Sequence, residues 1–470
     1  MSRLNKVHVL MLDKQRLLDP QSAAALLRGL LEIEKAGPQS IPLNPELEDY
    51  YFNVEKKVID LLGQEIGGKL HTARSRNDLN ATLIRMNVRD YMIRLYPMIL
   101  ELRETLLKLG TEHAESFCTG YTHMQPAQPI TFGFYFTALA QAVERDYRRL
   151  EEAYGRLNIC PLGAAAFAGT IFPIDRHYTA GLLGFDKVIK NTMDAVAARD
   201  FLLELASDFA ILGSTLSRFA NDLYVWSTDE FRIIEVDDSM AICSSIMPQK
   251  KNPVALEHIK SKSAHILASV VSVFTCLRGA PYSHARDVSS ESAHLFWDGA
   301  AELEAMVQLL TATLKTLIIH TQRAAERIDV NYSTVTELAD YLAARENINF
   351  RAAHQIVGNL TGNCISRGLS TRDITPEALA ETSEFFVGKR VIVNEELLKV
   401  ILNGRHSVEQ RTGEGSPAPE SCRRLISEMT EACREDRKRY GEISDRLREG
   451  NEGLDRAVSA LLSGTNESRS

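Results

Sequence analysis

A chain of 470 residues exceeds what one compact core usually holds, so two or three packed units are expected, and a small disulfide scaffold or short binding module is excluded. Hydrophobic residues at 44% and charged residues at 25% describe a folded globular protein rather than a disordered one. A net charge of -8, with neither sign gathered into a long block, argues against nucleic acid or an anionic membrane as the main partner and leaves small molecules and proteins.

Turn-formers are scarce and uneven: there are 27 Gly and 15 Pro, and residues 300–357 contain neither. Strand-rich folds need frequent turn chemistry, so this gap predicts long helices. In chain order, residues 1–75 read as an N-terminal helical domain of short helices joined by a breaker-rich connector at 37–45. Gly63, Gly67 and Gly68 precede a polar run at 71–78, with Asn77 or Asp78 the expected N-cap of the helix that follows. Residues 76–325 read as a central bundle of five long stretches, 79–109, 131–157, 191–224, 254–278 and 293–327. Three compact loops, 120–129, 160–173 and 239–253, hold the unusual residue clusters, where binding and catalytic groups concentrate. Residues 326–470 form a C-terminal helical domain whose segment 404–420, with Gly413, Gly415, Pro417 and Pro419, reads as a mobile loop. The expected fold class is all-α: three helical domains around a central long-helix bundle.

The longest apolar stretch, 266–277, is broken by Ser and Thr and falls short of the roughly 20 residues a membrane helix needs. The N-terminus carries no signal-peptide pattern, so a cytoplasmic protein is expected. The cysteines at 118, 160, 243, 276, 364, 422 and 433 are odd in number and lack a Cys-x-x-Cys pair, so they read as packing residues. In such a context the glycosylation-type triplet Asn466-Glu467-Ser468 is noise.

Chemistry concentrates in a few places. Residues 243–253, CSSIMPQKKNP, put hydroxyls, two ammonium groups and an amide before a long helix, with Glu257 in its first turn. Such a segment supplies a base or nucleophile and cations for an anionic substrate, against the plainer reading of a solvated basic loop. His123 in the Pro-flanked run 120–129 is placed as an acid or base, or as a structural hydrogen-bonder. Arg74, Arg76 and Asn77 sit at a helix start, where an anion gains from free N–H groups. Residues 161–170 lack the Lys-Ser/Thr ending of a phosphate loop, and no metal-ligand or serine-hydrolase pattern appears.

Together HTARSRND (71–78), GYTHMQPAQP (120–129) and SSIMPQKKNP (244–253) resemble the fumarase/aspartase superfamily, within it the argininosuccinate lyase and delta-crystallin branch. Arg199-Asp200-Phe201 and Ser407-Val408-Glu409-Gln410 extend the resemblance over most of the chain. It implies a cofactor-free carbon–nitrogen lyase acting on a small anionic substrate. It also implies a homotetramer with a tetrameric helical core, whose sites each combine loops from three subunits. By the same resemblance, Ser244 abstracts a proton, Lys250 and Asn252 hold the intermediate, and His123 with Thr122 serves the departing nitrogen. Glu257 orients and charges His123, while Ser75, Arg76, Asn77, Ser245 and Gln128 contact substrate.

Several positions depart from the family pattern. Cys243 stands where Gly is usual, Leu79 where Gln is usual, and Tyr50-Tyr51 where Ile-His is usual. A Tyr, a Gln and a Lys that would hold substrate become His284, Ser289 and Ser292. Asn5 lies near the position of the Ser in an early Gly-Ser-x-Ala-His segment, so an upstream stretch is expected to be missing. Arginine is the default amine released. A different N-substituted aspartate, such as an aminopolycarboxylate, and a crystallin-like structural role remain alternatives; adenylosuccinate or fumarate follows the motifs less closely.

Overall fold

The computed structural model describes residues 1–467, with side chains through 464, so Ser468 and the Asn466 side chain of the glycosylation-type triplet lie outside the described residues. Three short helices, α1 (Ser2–Lys14), α2 (Pro20–Ala36) and α3 (Tyr50–Leu62), open the chain. Asp19 and Asp49 cap the helices on either side of the connector, which itself forms a 3₁₀ turn at Pro38–Ser40 and leads into a second, Pro45–Leu47, capped by Asn44.

The five expected long stretches are helices. They are α4 (Arg76–Glu112), α5 (Phe132–Leu157), α6 (Asp200–Trp226), α7 (Val254–Leu277) and α8 (Ser292–Lys315). α7 packs between α6 and α8, and α4 packs on α5 and α8, around one large apolar cluster that includes Met92, Phe136, Phe209 and Phe296. Tyr91 on α4 donates its hydroxyl hydrogen to the Ala300 carbonyl of α8 at 2.6 Å. Close approach of α7 and α8 requires Gly299, because a Cβ there would collide with Ser269 Oγ.

Three boundaries differ from expectation, one of them in the stretch 293–327, which is helical only to Lys315 in α8 and resumes at Thr321 after a two-residue strand. The N-cap of α4 is Ser75 rather than Asn77 or Asp78; Asp78 is the third helical residue and accepts the Ser75 N–H at 3.0 Å, completing a capping box. The stretch 191–224 is broken into Thr192–Ala197 and α6, with Arg199 at the break donating to the carbonyls of Ala198 at 2.7 Å and Val288 at 2.8 Å.

The Gly- and Pro-free region 300–357 is not one rod. After α8 the chain makes a two-residue strand, Ile318–Ile319, then helices Thr321–Ile328, α9 (Val335–Arg345) and the start of α10 (Phe350–Ser366). Its turns are made by Tyr332 and Asn347 in left-handed conformations, at φ 61° and 55°. The side chains of Asn331 and Asn349 accept backbone N–H groups there at 3.1 and 3.0 Å.

α9, α10 and the segments after them enclose a separate apolar cluster that includes Leu342, Ile356 and Leu398. The 404–420 segment is not simply a mobile loop: Gly404–Glu409 is a helix capped by Asn403, and Arg411 reaches both Glu337 and the Pro129 carbonyl. A final long helix, α11 (Pro419–Glu467), runs back along α4 and α5 and then onto α1 and α2, placing Cys422 and Met429 in the bundle cluster and Leu454 and Val458 in the N-terminal one.

Five cysteines are buried as packing residues, but Cys243 is exposed and Cys276 half-buried. Among the described residues no helix is long and apolar enough to cross a membrane.

Candidate active site

The expected loop at 120–129 is mostly a β-hairpin, β1 (Phe117–Thr122) paired with β2 (Gln125–Thr131). Its two-residue turn is His123-Met124, at φ 52° and 59°. Both positive angles suit the mirror-image turn that matches strand twist, and they present His123 at the exposed tip. Pro126 and Pro129 are tolerated on β2 because each strand of a two-stranded sheet has a free edge. Thr122 and Gln128 are also exposed. The hairpin base is fixed by Asn331, which donates to Thr119 Oγ1 at 2.8 Å, and by Arg411, which donates to the Pro129 carbonyl at 3.2 Å.

The signature segment is a second, smaller hairpin. β3 (Ile242–Cys243) pairs antiparallel with β4 (Lys251–Asn252), and the Ser244 N–H donates to the Lys250 carbonyl at 3.1 Å, closing the tip. Within that tip, Ser244 Oγ accepts the N–H groups of Met247 at 3.1 Å and Ile246 at 3.4 Å. Two backbone dipoles aimed at this oxygen lower the cost of negative charge on it. Ser244 is half-buried; Ser245 and Lys250 are exposed, and the Lys250 ammonium has no ion-pair partner among the described residues. Lys251, by contrast, is held by Glu235 at 2.8 Å and Asp238 at 2.7 Å, which anchors the hairpin. Asn252 is half-buried at the end of β4, and Glu257 is exposed in the first turn of α7.

Ser75, Arg76 and Asn77 form a third group at the start of α4. Asp78 is buried beneath them and accepts N–H groups from Gly163 and Ala165, each at 2.9 Å, while Asn77 Nδ2 donates to the Ala166 carbonyl at 2.9 Å. These bonds hold the 161–170 segment against the helix start. Burial pushes the Asp78 carboxyl up to about 6 despite those donors. Arg76 is engaged within the chain by Glu48 at 2.9 Å and Asp49 at 3.1 Å, and its guanidinium lies over the Phe52 ring.

Of the departing positions, Leu79 and Ser292 are buried, with Ser292 Oγ bonded to its own helix at the Val288 carbonyl, so neither presents a group to substrate. His284 and Ser289 differ: His284 Nδ1 and Ser289 Oγ are buried without hydrogen-bond partners among the described residues. Burial, then the charges of Arg199, Arg286 and Arg76, holds the His284 imidazole below its ordinary pKa.

The structure therefore brings the site residues into three groups: Ser244, Ser245, Lys250, Asn252 and Glu257; Thr122, His123 and Gln128; and Ser75, Arg76 and Asn77. Among the described residues no hydrogen bond or ion pair joins one group to another, and Glu257 does not meet His123. Sequence reasoning read Asp78 only as a candidate N-cap and missed that it locks one group, and it left without a role the Ser407 and Arg411 pair, whose shared partner Glu337 lies some seventy positions away. The Ser-x-x-Asp spacing at 75–78 was the available signal for Asp78.

Residues 4–268 match the Lyase family and residues 332–409 match the argininosuccinate lyase C-terminal family. The chain is similar to argininosuccinate lyase 1 of Shouchella clausii, 40% identical over 95% of this chain and 89% of that protein. It is similar as well to the argininosuccinate lyase of Methanosarcina barkeri, 37% identical over 98% of this chain and 91% of that one. Among solved structures, that of EDDS lyase in complex with formate superposes with a TM-score of 0.92 at 32% identity, covering 98% of this chain and 91% of that one. The chain accordingly belongs to the lyase family of the fumarase/aspartase superfamily, in its argininosuccinate lyase branch.

Proposed function

We propose that this carbon–nitrogen lyase eliminates an amine from an N-substituted aspartate to give fumarate, with argininosuccinate as default substrate and arginine as the amine. The observation that carries the mechanism is Ser244 Oγ under two backbone N–H donors at the tip of the signature hairpin. A serine alkoxide is far too costly in water at neutral pH, and fixed donors together with a nearby ammonium reduce that cost. Ser244 removes the proton next to the substrate carboxylate. The resulting doubly charged aci-carboxylate is held by Lys250 and Asn252. His123, charged by Glu257 and assisted by Thr122, protonates the departing nitrogen as the carbon–nitrogen bond breaks. Ser75, Arg76, Asn77, Ser245 and Gln128 fix the carboxylates; Arg76 exchanges its contacts with Glu48 and Asp49 for substrate.

Because His123, Ser244 and Arg76 do not meet within one chain, we assign the active sites to a homotetramer that assembles the three groups from different subunits. A free apolar face supports this: on α7, Leu267, Val271 and Phe274 follow helical spacing and are 58%, 60% and 46% exposed. We place the enzyme in the cytoplasm, as the absence of a signal-peptide pattern in its first residues suggests.

A second reading of the amine is favoured by the surroundings of His284. The charges of Arg199, Arg286 and Arg76 around it would repel a guanidinium and attract an amine carrying further carboxylates. The test is to follow fumarate absorbance with argininosuccinate, and in reverse with fumarate and a panel of amines. Turnover with argininosuccinate supports the default, turnover only with carboxylate-bearing amines supports the second reading, and no turnover in any arm refutes the catalytic assignment.

A further inference from the structure

A cleft of about 620 Å³, lined by none of the three groups around Ser244, His123 and Ser75, lies where the start of α6, the end of α7 and the Lys187–Val188 strand converge. Two guanidinium groups in its wall, those of Arg85 and Arg199, belong to side chains only 3% exposed, and neither is matched by a hydrogen-bonded carboxylate. Arg85 spends Nη1 on the Arg156 and Leu157 carbonyls, both at 3.0 Å, and its Nε has no partner. Arg199 spends Nε and Nη1 on the Val288 and Ala198 carbonyls, and its Nη2 has no partner. Buried donors left unmatched in this way are rare in folded proteins.

Arg156 is neutralised by Glu204. The carboxylates of Asp194, which accepts the Tyr282 hydroxyl at 2.5 Å, and Asp200 are near enough to act on Arg85 but form no ion pair with either buried guanidinium, so the excess positive charge of the wall is that of its lysines. Lys187 and Lys190 line the same cleft, are exposed, and have no ion-pair partner among the described residues. Burial pushes the Arg199 guanidinium down to about 10, and the Arg85 charge adds to that effect, so a negative charge between them would relieve both burial and repulsion.

We infer that this cleft binds a small dianion, a dicarboxylate or an inorganic oxyanion, clamped between the Arg85 and Arg199 guanidinium groups and the Lys187 and Lys190 ammonium groups. Proton abstraction and nitrogen protonation use none of these residues, although the Arg199 charge also reaches His284. The Arg199 Nε bond to the Val288 carbonyl ties the occupant to the turn that carries Ser289.

The test is calorimetric titration of the full-length protein at low ionic strength with inorganic phosphate and, separately, with succinate, alongside thermal unfolding in each. The wild type is expected to bind at least one of them and to unfold at higher temperature with it present; the tighter of the two names the ligand class. Lys187→Gln/Lys190→Gln changes only exposed side chains, and its affinity is expected to fall about tenfold from two lost charges at the rim. Arg76→Gln removes binding at the proposed active site, so the binding that survives in Arg76→Gln and is weakened when Lys187→Gln/Lys190→Gln is added belongs to the cleft. The inference is overturned if neither anion binds at millimolar concentration, if the double lysine variant binds like wild type, or if Arg76→Gln alone abolishes all binding of both anions. These readouts do not depend on turnover, so they stand or fall apart from the proposed reaction.

Discussion

Ser244 Oγ accepts the Met247 N–H at 3.1 Å across the tip of a hairpin whose other strand begins one residue after Lys250. The hairpin fixes the backbone on both sides of the proposed base, yet it leaves the Lys250 ammonium unpaired and exposed. A cation held in reserve is suited to charge that appears only during reaction. Lys250→Met is accordingly expected to lower kcat by about 10²- to 10³-fold with little change in thermal stability. A loss below tenfold in steady-state assays would assign Lys250 to the solvated surface.

His123 and Ser244 stand on separate hairpins that do not touch within a chain. In a tetramer with composite sites, His123→Asn and Ser244→Ala each inactivate, but unfolding and refolding the two together restores activity. Random assortment leaves about a quarter of sites with both native groups. Activity recovery near that fraction, read against each variant refolded alone, is the expected result; none at all would place both residues in one subunit's site.

The buried Asp78 carboxyl gives a pH signature. Its folded pKa, about 6, lies above the ordinary value of 3.8. The folded state therefore binds the proton more tightly, and the contribution of Asp78 to stability is full at low pH and is lost as pH rises through about 6. The stability of wild type minus that of Asp78→Asn is expected to fall by about 2 kcal/mol between pH 4 and 7, measured by denaturant unfolding across that range. A difference that rises with pH would contradict the burial argument.

Asp436 on α11 meets Arg103 of α4 at 2.5 Å with both side chains fully buried, and Arg148 of α5 reaches the same carboxylate at 2.6 Å. Removing the carboxylate charge leaves the buried Arg103 guanidinium with Glu144 alone, at 3.3 Å, so Asp436→Asn is expected to destabilise by about 3 kcal/mol. Because α11 also contributes Leu454 and Val458 to the N-terminal cluster, the variant is expected to lose protection from hydrogen exchange along α1 and α2 as well as along α4.

The long helices were legible because apolar residues recur at helical spacing over twenty or more positions, a signal that survives local exceptions such as Pro97 within α4. The hairpins were not. β3 and β4 are two residues each, too short to alternate, and β2 carries two prolines that read as loop chemistry. Ser75 and Asp78 are both good capping residues, and only the capping-box geometry shows which one occupies the cap. The turns within 300–357 left no Gly or Pro signal because Asn side chains and left-handed Tyr332 and Asn347 make them. The three motifs named the chemistry, but periodicity and spacing could not show that Asp78 locks the 161–170 segment or that Arg411 joins Glu337 to the Pro129 carbonyl, because those partners are distant in sequence.

The central claim is that Ser244 is the base, and turnover of Ser244→Ala measures it most directly. The variant removes one hydroxyl from an exposed hairpin tip whose backbone bond between Ser244 and Lys250 does not need it, so circular dichroism and oligomer mass are expected to match wild type. Fumarate release from argininosuccinate, or from whichever amine adduct the wild type cleaves, is expected to fall by about 10²- to 10⁴-fold. Near-normal fumarate release from a correctly folded Ser244→Ala protein would contradict the account.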